Sequence, residues 1–234
     1  MSLAVKDIEG SSLRAVFFDL DGTLVDSAPD IAAAVNELMA GFGLAPHSLE
    51  AVRGMIGNGI GALVERAFAT HGVALSRQEF RERHATMIDI YADNLTRLTT
   101  LRPGAAQALS AARKAGLRTG VVTNKPEGFS RIILSRFDLL AELDVVIGGD
   151  SGYPKKPSPE MLLAACRSCG CDAHEAVLVG DSGIDVQTAR AADMVCAIVR
   201  GGYTAVAPEA LGADVVIDRL DEFEPKFFAA SRAQ

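Results

Sequence analysis

From Pro103 onward the sequence alternates between short apolar runs and segments of helical periodicity, and the apolar runs stop at polar or glycine-rich clusters. Leu117 to Val122 ends at Thr123-Asn124-Lys125-Pro126, Val145 to Ile147 at Gly148-Gly149-Asp150, and Ala176 to Val179 at Gly180-Asp181-Ser182. Met194 to Val199 and Val215 to Ile217 read as a last pair of strands. Helices are predicted near 104–115 and 127–135, from the Lys155-Lys156-Pro157-Ser158-Pro159 loop to about Cys169, and then up to Ala192. Strands separated in this way are joined as parallel neighbours, with the helices crossing over both faces. The expected fold class is α/β, a Rossmann-like three-layer core around a mainly parallel sheet.

One strand precedes this series. Val16-Phe17-Phe18 is apolar and too short for a helix; it ends at Asp19, with Asp21 two residues on and Gly22 beside it to let the backbone turn close to a ligand. The texture then changes. Pro29 can start a helix, and Ile31, Val35, Leu38 and Met39 recur at helical spacing until Gly41 and Gly43. Residues 48–54, 60–71 and 77–95 continue as helices, broken around Gly57-Asn58-Gly59 and His71-Gly72. No strand pattern interrupts residues 27–97. The prediction is a small α-helical domain at 27–97, inserted into an α/β core made of 1–26 and 98–234.

Composition removes several function classes. A formal charge of −7 argues against a nucleic-acid binder, because phosphate backbones are held by clustered Lys and Arg. Residues 1–13 lack the continuous apolar stretch of a signal peptide, and no segment offers the roughly eighteen apolar residues of a membrane span. A cytoplasmic monomer or homodimer is expected, with no nucleic-acid or membrane partner. Four cysteines do not suggest a disulfide scaffold. Cys166, Cys169, Cys171 and His174 offer the ligand types of a structural Zn²⁺ site, but their spacing is irregular and Cys166 and Cys169 suit helix packing.

A parallel sheet brings its C-terminal strand ends to one rim, so Asp19, Asp21, Thr123, Asn124, Lys156, Asp181 and Asp185 are expected to meet there. Like charges this close need a cation or a shared proton, and hard carboxylate oxygens suit Mg²⁺. Asp19 and Asp181 are candidate metal ligands, with Asp21 beside them. Lys156 and the Thr123 hydroxyl suit phosphate oxygens, with backbone amides near Asn124 helping. The metal and lysine would screen repulsion enough for Asp19 to attack phosphorus, forming an aspartyl phosphate. Asp21 would protonate the leaving oxygen and later deprotonate water, work worth about 10²–10⁴-fold.

FFDLDGTLVDS, VVTNKP, KKPSPE and VGDSGIDVQTARAA resemble, in order, the four motifs of the haloacid dehalogenase superfamily, and the match covers essentially the whole chain. The helical insertion resembles the cap of the subgroup that includes phosphoglycolate phosphatases. The resemblance implies Asp19 as nucleophile, Asp21 as acid/base, Thr123 and Lys156 on phosphate, and Asp181 on Mg²⁺. Lys156 is preferred to Lys155 because the family lysine directly precedes a proline. Asp185 and Ser182 are expected to support the metal site.

The choice of substrate falls to the cap. Arg53 to Gly61, with Arg53 and Asn58 as candidate substrate-binding residues, resembles the cap segment of phosphoglycolate phosphatases, where glycines precede a helix whose amides suit an anion. Residues 29–97 contain no lysine, which weakens a phosphonoacetaldehyde-hydrolase reading that relies on a cap lysine. The expected partner is a small phosphorylated metabolite, foremost 2-phosphoglycolate. Sugar phosphates, nucleotide monophosphates and a phosphomutase outcome stay open; a non-catalytic phosphate sensor is disfavoured because every expected catalytic position is occupied.

Overall fold

Ala15 and Phe17 face one side of a sheet and Val16 and Phe18 the other, all four without exposed surface, which is the pattern of a strand buried on both faces. The computed structural model describes residues 13–223, and the expected core segments at 1–12 and 224–234 lie outside the described residues. This first strand, β1 (Ala15–Phe18), sits in the middle of a six-stranded parallel sheet. Beside it on one side are β4 (Arg118–Val122) and β5 (Val145–Ile147), and on the other β6 (Ala176–Gly180), β7 (Val195–Val199) and β8 (Val215–Ile217).

The order β5-β4-β1-β6-β7-β8 means that the chain builds outward on one side of β1 and then crosses to build on the other. Its switch point lies at the C-terminal end of β1, where doubly wound sheets open a crevice. Register completes the placement: Phe18 is level with Val121 on one neighbour and Val179 on the other. Asp19 is then level with Val122 and Gly180, so Thr123 and Asp181 leave the same sheet edge one residue beyond it.

Helices close both faces. Phe17 packs with Met161 and Leu162 of α7 (Glu160–Cys169) and Val186 of α8 (Gly183–Ala191). Val16 and Phe18 lie in the other cluster with Leu109 of α5 (Ala105–Lys114) and Ile133 and Leu134 of α6 (Glu127–Arg136). The expected α/β layering is what the structure contains. No helix among the described residues is long and apolar enough to cross a membrane.

Between β1 and the rest of the sheet stand α1 (Ala28–Gly41), α2 (Leu49–Arg53), α3 (Ile60–Ala69) and α4 (Arg77–Ala92). Helix α4 opens with a capping box between Ser76 and Glu79, and its two buried side chains, Met87 and Tyr91, are one turn apart on one face, where the Tyr91 ring meets Phe129 of α6 edge-on. Helix α3 ends at Ala69, before the predicted 71, because Gly72 at φ +71° lets Val73 N bond back to Phe68 O and close the last turn.

The two chain crossings between cap and core pair with each other, a feature the sequence did not suggest. Strands β2 (Val25–Asp26) and β3 (Thr100–Leu101) form a two-stranded antiparallel ribbon, too short to leave a period-two signal. Buried Asp30 fastens the ribbon to α1: its carboxylate accepts from Leu98 N at 2.9 Å and from Thr99 N and Thr99 Oγ1 at 2.7 Å each.

Candidate active site

The amide of Asp19 donates to Val179 O at 2.9 Å, carrying the sheet ladder one residue past β1 and fixing where its side chain leaves the sheet. Across from it Asp181 leaves β6. The Asp181 carboxylate accepts from Thr23 Oγ1 at 3.1 Å and from Tyr203 N at 2.7 Å. Two glycines make room for it: a Cβ on Gly22, whose φ is +86°, would stand 2.5 Å from Asp181 Oδ2, and one on Gly202 would stand 2.2 Å from Asp181 Cβ.

Asp185, at the start of α8, turns one oxygen to the helix terminus, accepting from Ser182 N at 3.1 Å and Ser182 Oγ at 2.7 Å. Its other oxygen accepts from Lys156 Nζ at 2.7 Å, and the same ammonium lies 2.9 Å from Asp19 Oδ1. Lys156 is held in turn by Asn124, whose Oδ1 accepts from Lys156 N at 2.9 Å and whose Nδ2 donates to Lys156 O at 3.0 Å.

Asp19, Asp181 and Asp185 are all buried and present carboxylate oxygens within 4.8 Å of one another. Burial pushes the Asp181 carboxyl up to about 8, with repulsion from Asp185 and Asp19 adding to it. Burial raises Asp19 to about 6, with repulsion from Asp185 and Asp21 adding and Lys156 opposing. Burial alone would lower Lys156, but Asp185 and Asp19 hold its ammonium well above the ordinary lysine range. One cation thus faces three buried acids. Asp19 Oδ1 meets Lys156 as an ion pair without an aligned hydrogen bond, so its lone pairs stay open to another positive centre. Hard oxygen donors, excess negative charge and an open lone pair fit a divalent cation such as Mg²⁺.

Asp21, expected at the metal, stands outside that trio. Its two oxygens lie 2.8 and 2.9 Å from Lys125 Nζ, and one also accepts from Ser27 Oγ. Lys125 donates as well to Tyr91 Oη at 2.7 Å, so a cap side chain reaches the core here. A small cavity opens above, with Asp19, Asp21, Thr123 and Lys125 on the core side and Ile56, Ile60, Leu63 and Met87 on the cap side. Thr123 is buried at its edge.

The other expected residues take varied places. The Asn124 side chain is occupied by Lys156 and by the cap, donating to Gly57 O at 2.9 Å. Arg53 lies at the crossing, 3.1 Å from Asp26 Oδ2, and lines neither cavity beside Asp19. Asn58 lines a second opening and accepts from Arg66 Nη2 at 2.5 Å. Lys156 rather than Lys155 reaches Asp19, and Lys155 Nζ instead lies beside Gly59 of the cap. The cysteines do not form the considered Zn²⁺ site: among the described residues only the aspartate trio gathers as a metal would require, while Cys166 and Cys169 pack in the core from α7.

Lys125, Tyr91 and Tyr203 are site residues that the sequence reading passed over. Lys125 adjoins Thr123-Asn124, and Tyr203 follows the glycine pair after a strand, so the strand-end rule could have found both. Nothing in the periodicity of α4 singles out Tyr91. Tyr203 Oη accepts from Ser27 N at 2.8 Å and Ala28 N at 3.0 Å and donates to Asp26 Oδ1 at 2.8 Å, linking the Asp181 pocket to the crossing.

Fold and site together define a doubly wound α/β enzyme with an acidic, lysine-bridged centre at its switch point. The family model for haloacid dehalogenase-like hydrolases matches residues 13–193, and the chain belongs to that family. It is 42% identical over 208 residues to a plasmid-encoded phosphoglycolate phosphatase of Cupriavidus necator, covering 88% of this chain and 90% of the relative. It is 39% identical over 215 residues to phosphoglycolate phosphatase 1 of Pseudomonas aeruginosa, covering 91% and 79%. The crystal structure of a predicted phosphoglycolate phosphatase from Haemophilus somnus superposes with a TM-score of 0.85 at 28% identity, covering 91% of this chain and 96% of that one.

Proposed function

We propose that the protein is a Mg²⁺-dependent phosphomonoesterase that hydrolyses 2-phosphoglycolate to glycolate and phosphate through an aspartyl phosphate on Asp19. The observation that carries this reading is the placement of Asp19 at the switch point, 2.9 Å from Lys156 Nζ and within the buried aspartate trio. The named activities of the relatives from Cupriavidus necator and Pseudomonas aeruginosa support the substrate. So does the cavity, whose apolar cap side offers little to the hydroxyls of a sugar.

Asp19 and Asp181 would hold Mg²⁺, with Asp185 beside them. Bound there, Mg²⁺ supplies positive charge that offsets repulsion between a carboxylate nucleophile and an anionic ester. Lys156 and the Thr123 hydroxyl hold phosphoryl oxygens. An Asp19 oxygen forms a bond to phosphorus as the bond from phosphorus to the glycolate oxygen breaks, and Asp21 gives its proton to that leaving oxygen. Water then attacks phosphorus while Asp21 takes back a proton; the bond to Asp19 breaks and phosphate departs. The closed cap keeps bulk water from the first step.

A panel of phosphate esters assayed with Mg²⁺ tests the reading. The highest kcat/KM is expected for 2-phosphoglycolate, ahead of glucose 1-phosphate and nucleoside monophosphates. Interconversion of glucose phosphates in place of hydrolysis would overturn it in favour of a phosphomutase.

A further inference from the structure

A phosphate ester with a carboxylate on its leaving group presents the cavity with a second anion. Burying that carboxylate without a cation or several donors is costly. On the cap side Ile56, Ile60, Leu63 and Met87 offer neither, no lysine occurs from 29 to 97, and among the described lining residues Tyr91 is the one cap side chain with a donor. Among the described residues lining this cavity the one cation is Lys125, and it comes from the core. Arg66, the cation at the second opening, is tied into its own cap loop by Met55 O at 2.8 Å and Asn58 Oδ1 at 2.5 Å.

Lys125 also stands in the right place. Its ammonium lies 2.8 and 2.9 Å from the oxygens of Asp21, the group that faces the leaving oxygen in the reaction above. In 2-phosphoglycolate a methylene and the carboxyl carbon alone separate that leaving oxygen from the carboxylate oxygens, so the carboxylate comes to rest in the same neighbourhood. Tyr91 Oη, 2.7 Å from Lys125 Nζ, offers a second donor from the cap side. Both groups are buried, so neither must first be drawn out of bulk water.

We propose that Lys125, assisted by the Tyr91 hydroxyl, is the specificity-determining cation that binds the carboxylate of the substrate. The inference rests on the phosphoglycolate reading and narrows it to phosphate esters of short 2-hydroxy acids. Selection is then divided: the core reads the charge of the leaving group, and the apolar cap limits its bulk. As the carboxylate draws the ammonium toward itself, the two-point hold on Asp21 loosens and that side chain can turn to the leaving oxygen.

The test compares kcat and KM for 2-phosphoglycolate and propyl phosphate, an ester of similar length without the carboxylate, in the wild type and in Lys125→Met and Tyr91→Phe. The wild type is expected to favour 2-phosphoglycolate. Lys125→Met should reduce that preference, as the ratio of the two kcat/KM values, by about 10²-fold, and Tyr91→Phe by about tenfold. If Lys125→Met lowers both substrates by the same factor, Lys125 only braces Asp21 and the proposal falls while the phosphoglycolate reading stands. A wild type without preference for 2-phosphoglycolate overturns both. Should Lys125→Met fail to fold, Tyr91→Phe decides, since it keeps the Lys125–Asp21 pair: an unchanged ratio there overturns the proposal.

Discussion

Asp19 and Asp21 are two residues apart and have separate surroundings. Asp19 joins the aspartate trio and Lys156, whereas Asp21 is drawn to Lys125 and Ser27. Replacing Asp19 by Asn removes the charge and nucleophilicity but keeps the shape. Turnover should fall by more than about 10³-fold, with no phosphoenzyme in intact-protein mass spectra and an unchanged circular dichroism spectrum. Gly202→Ala tests the cradle of Asp181 without touching a charged group. Its methyl would overlap the Asp181 side chain, which must shift. The variant should lose about 1–3 kcal/mol in urea unfolding and should need more Mg²⁺ for half-maximal activity.

At the scale of elements the site depends on strand ends in register and on a stitched crossing. The parallel register brings Asp19, Thr123 and Asp181 together, and no short-range feature does so. The crossing is the weaker part: β2 and β3 are two residues each, and buried Asp30 supplies what the ladder lacks. Asp30→Ala would leave the Leu98 and Thr99 amides and the Thr99 hydroxyl without that partner. A loss of about 2–4 kcal/mol is expected from urea unfolding, with an unchanged slope, because the folded surface stays the same.

For the whole molecule, cap and core meet over the site through polar contacts as well as the apolar cavity wall. Asn124 donates to Gly57 O, Lys125 to Tyr91 Oη, and Arg53 pairs with Asp26. The buried acids make the native state underneutralised, so an ion that binds the folded protein and not the unfolded one raises its stability. Saturating Mg²⁺ at about 100 times its Kd should add roughly 2.7 kcal/mol, several degrees in Tm for a chain of this size. Chelation should abolish turnover, Mg²⁺ should restore it, and Asp181→Asn should remove most of the Tm shift. A full shift in that variant would place the ion elsewhere.

How much was legible follows from the range of each interaction. The alternation of strand and helix, the helical stretch after β1 and the polar strand ends are local patterns, so the sequence alone determined the α/β class and named Asp19, Asp21, Thr123, Lys156, Asp181 and Asp185 as candidates. Side-chain direction is not local. Tertiary structure decided that Asp185 and not Asp21 completes the acidic trio, because Lys125 holds both oxygens of Asp21. It placed Arg53 at the crossing, against Asp26. It also brought Tyr91 and Tyr203 to the site from segments whose periodicity marks only a helix face and a loop. Backbone pattern is written in neighbouring residues, whereas the partner of a buried charge is chosen by whichever distant group the fold delivers within hydrogen-bond range.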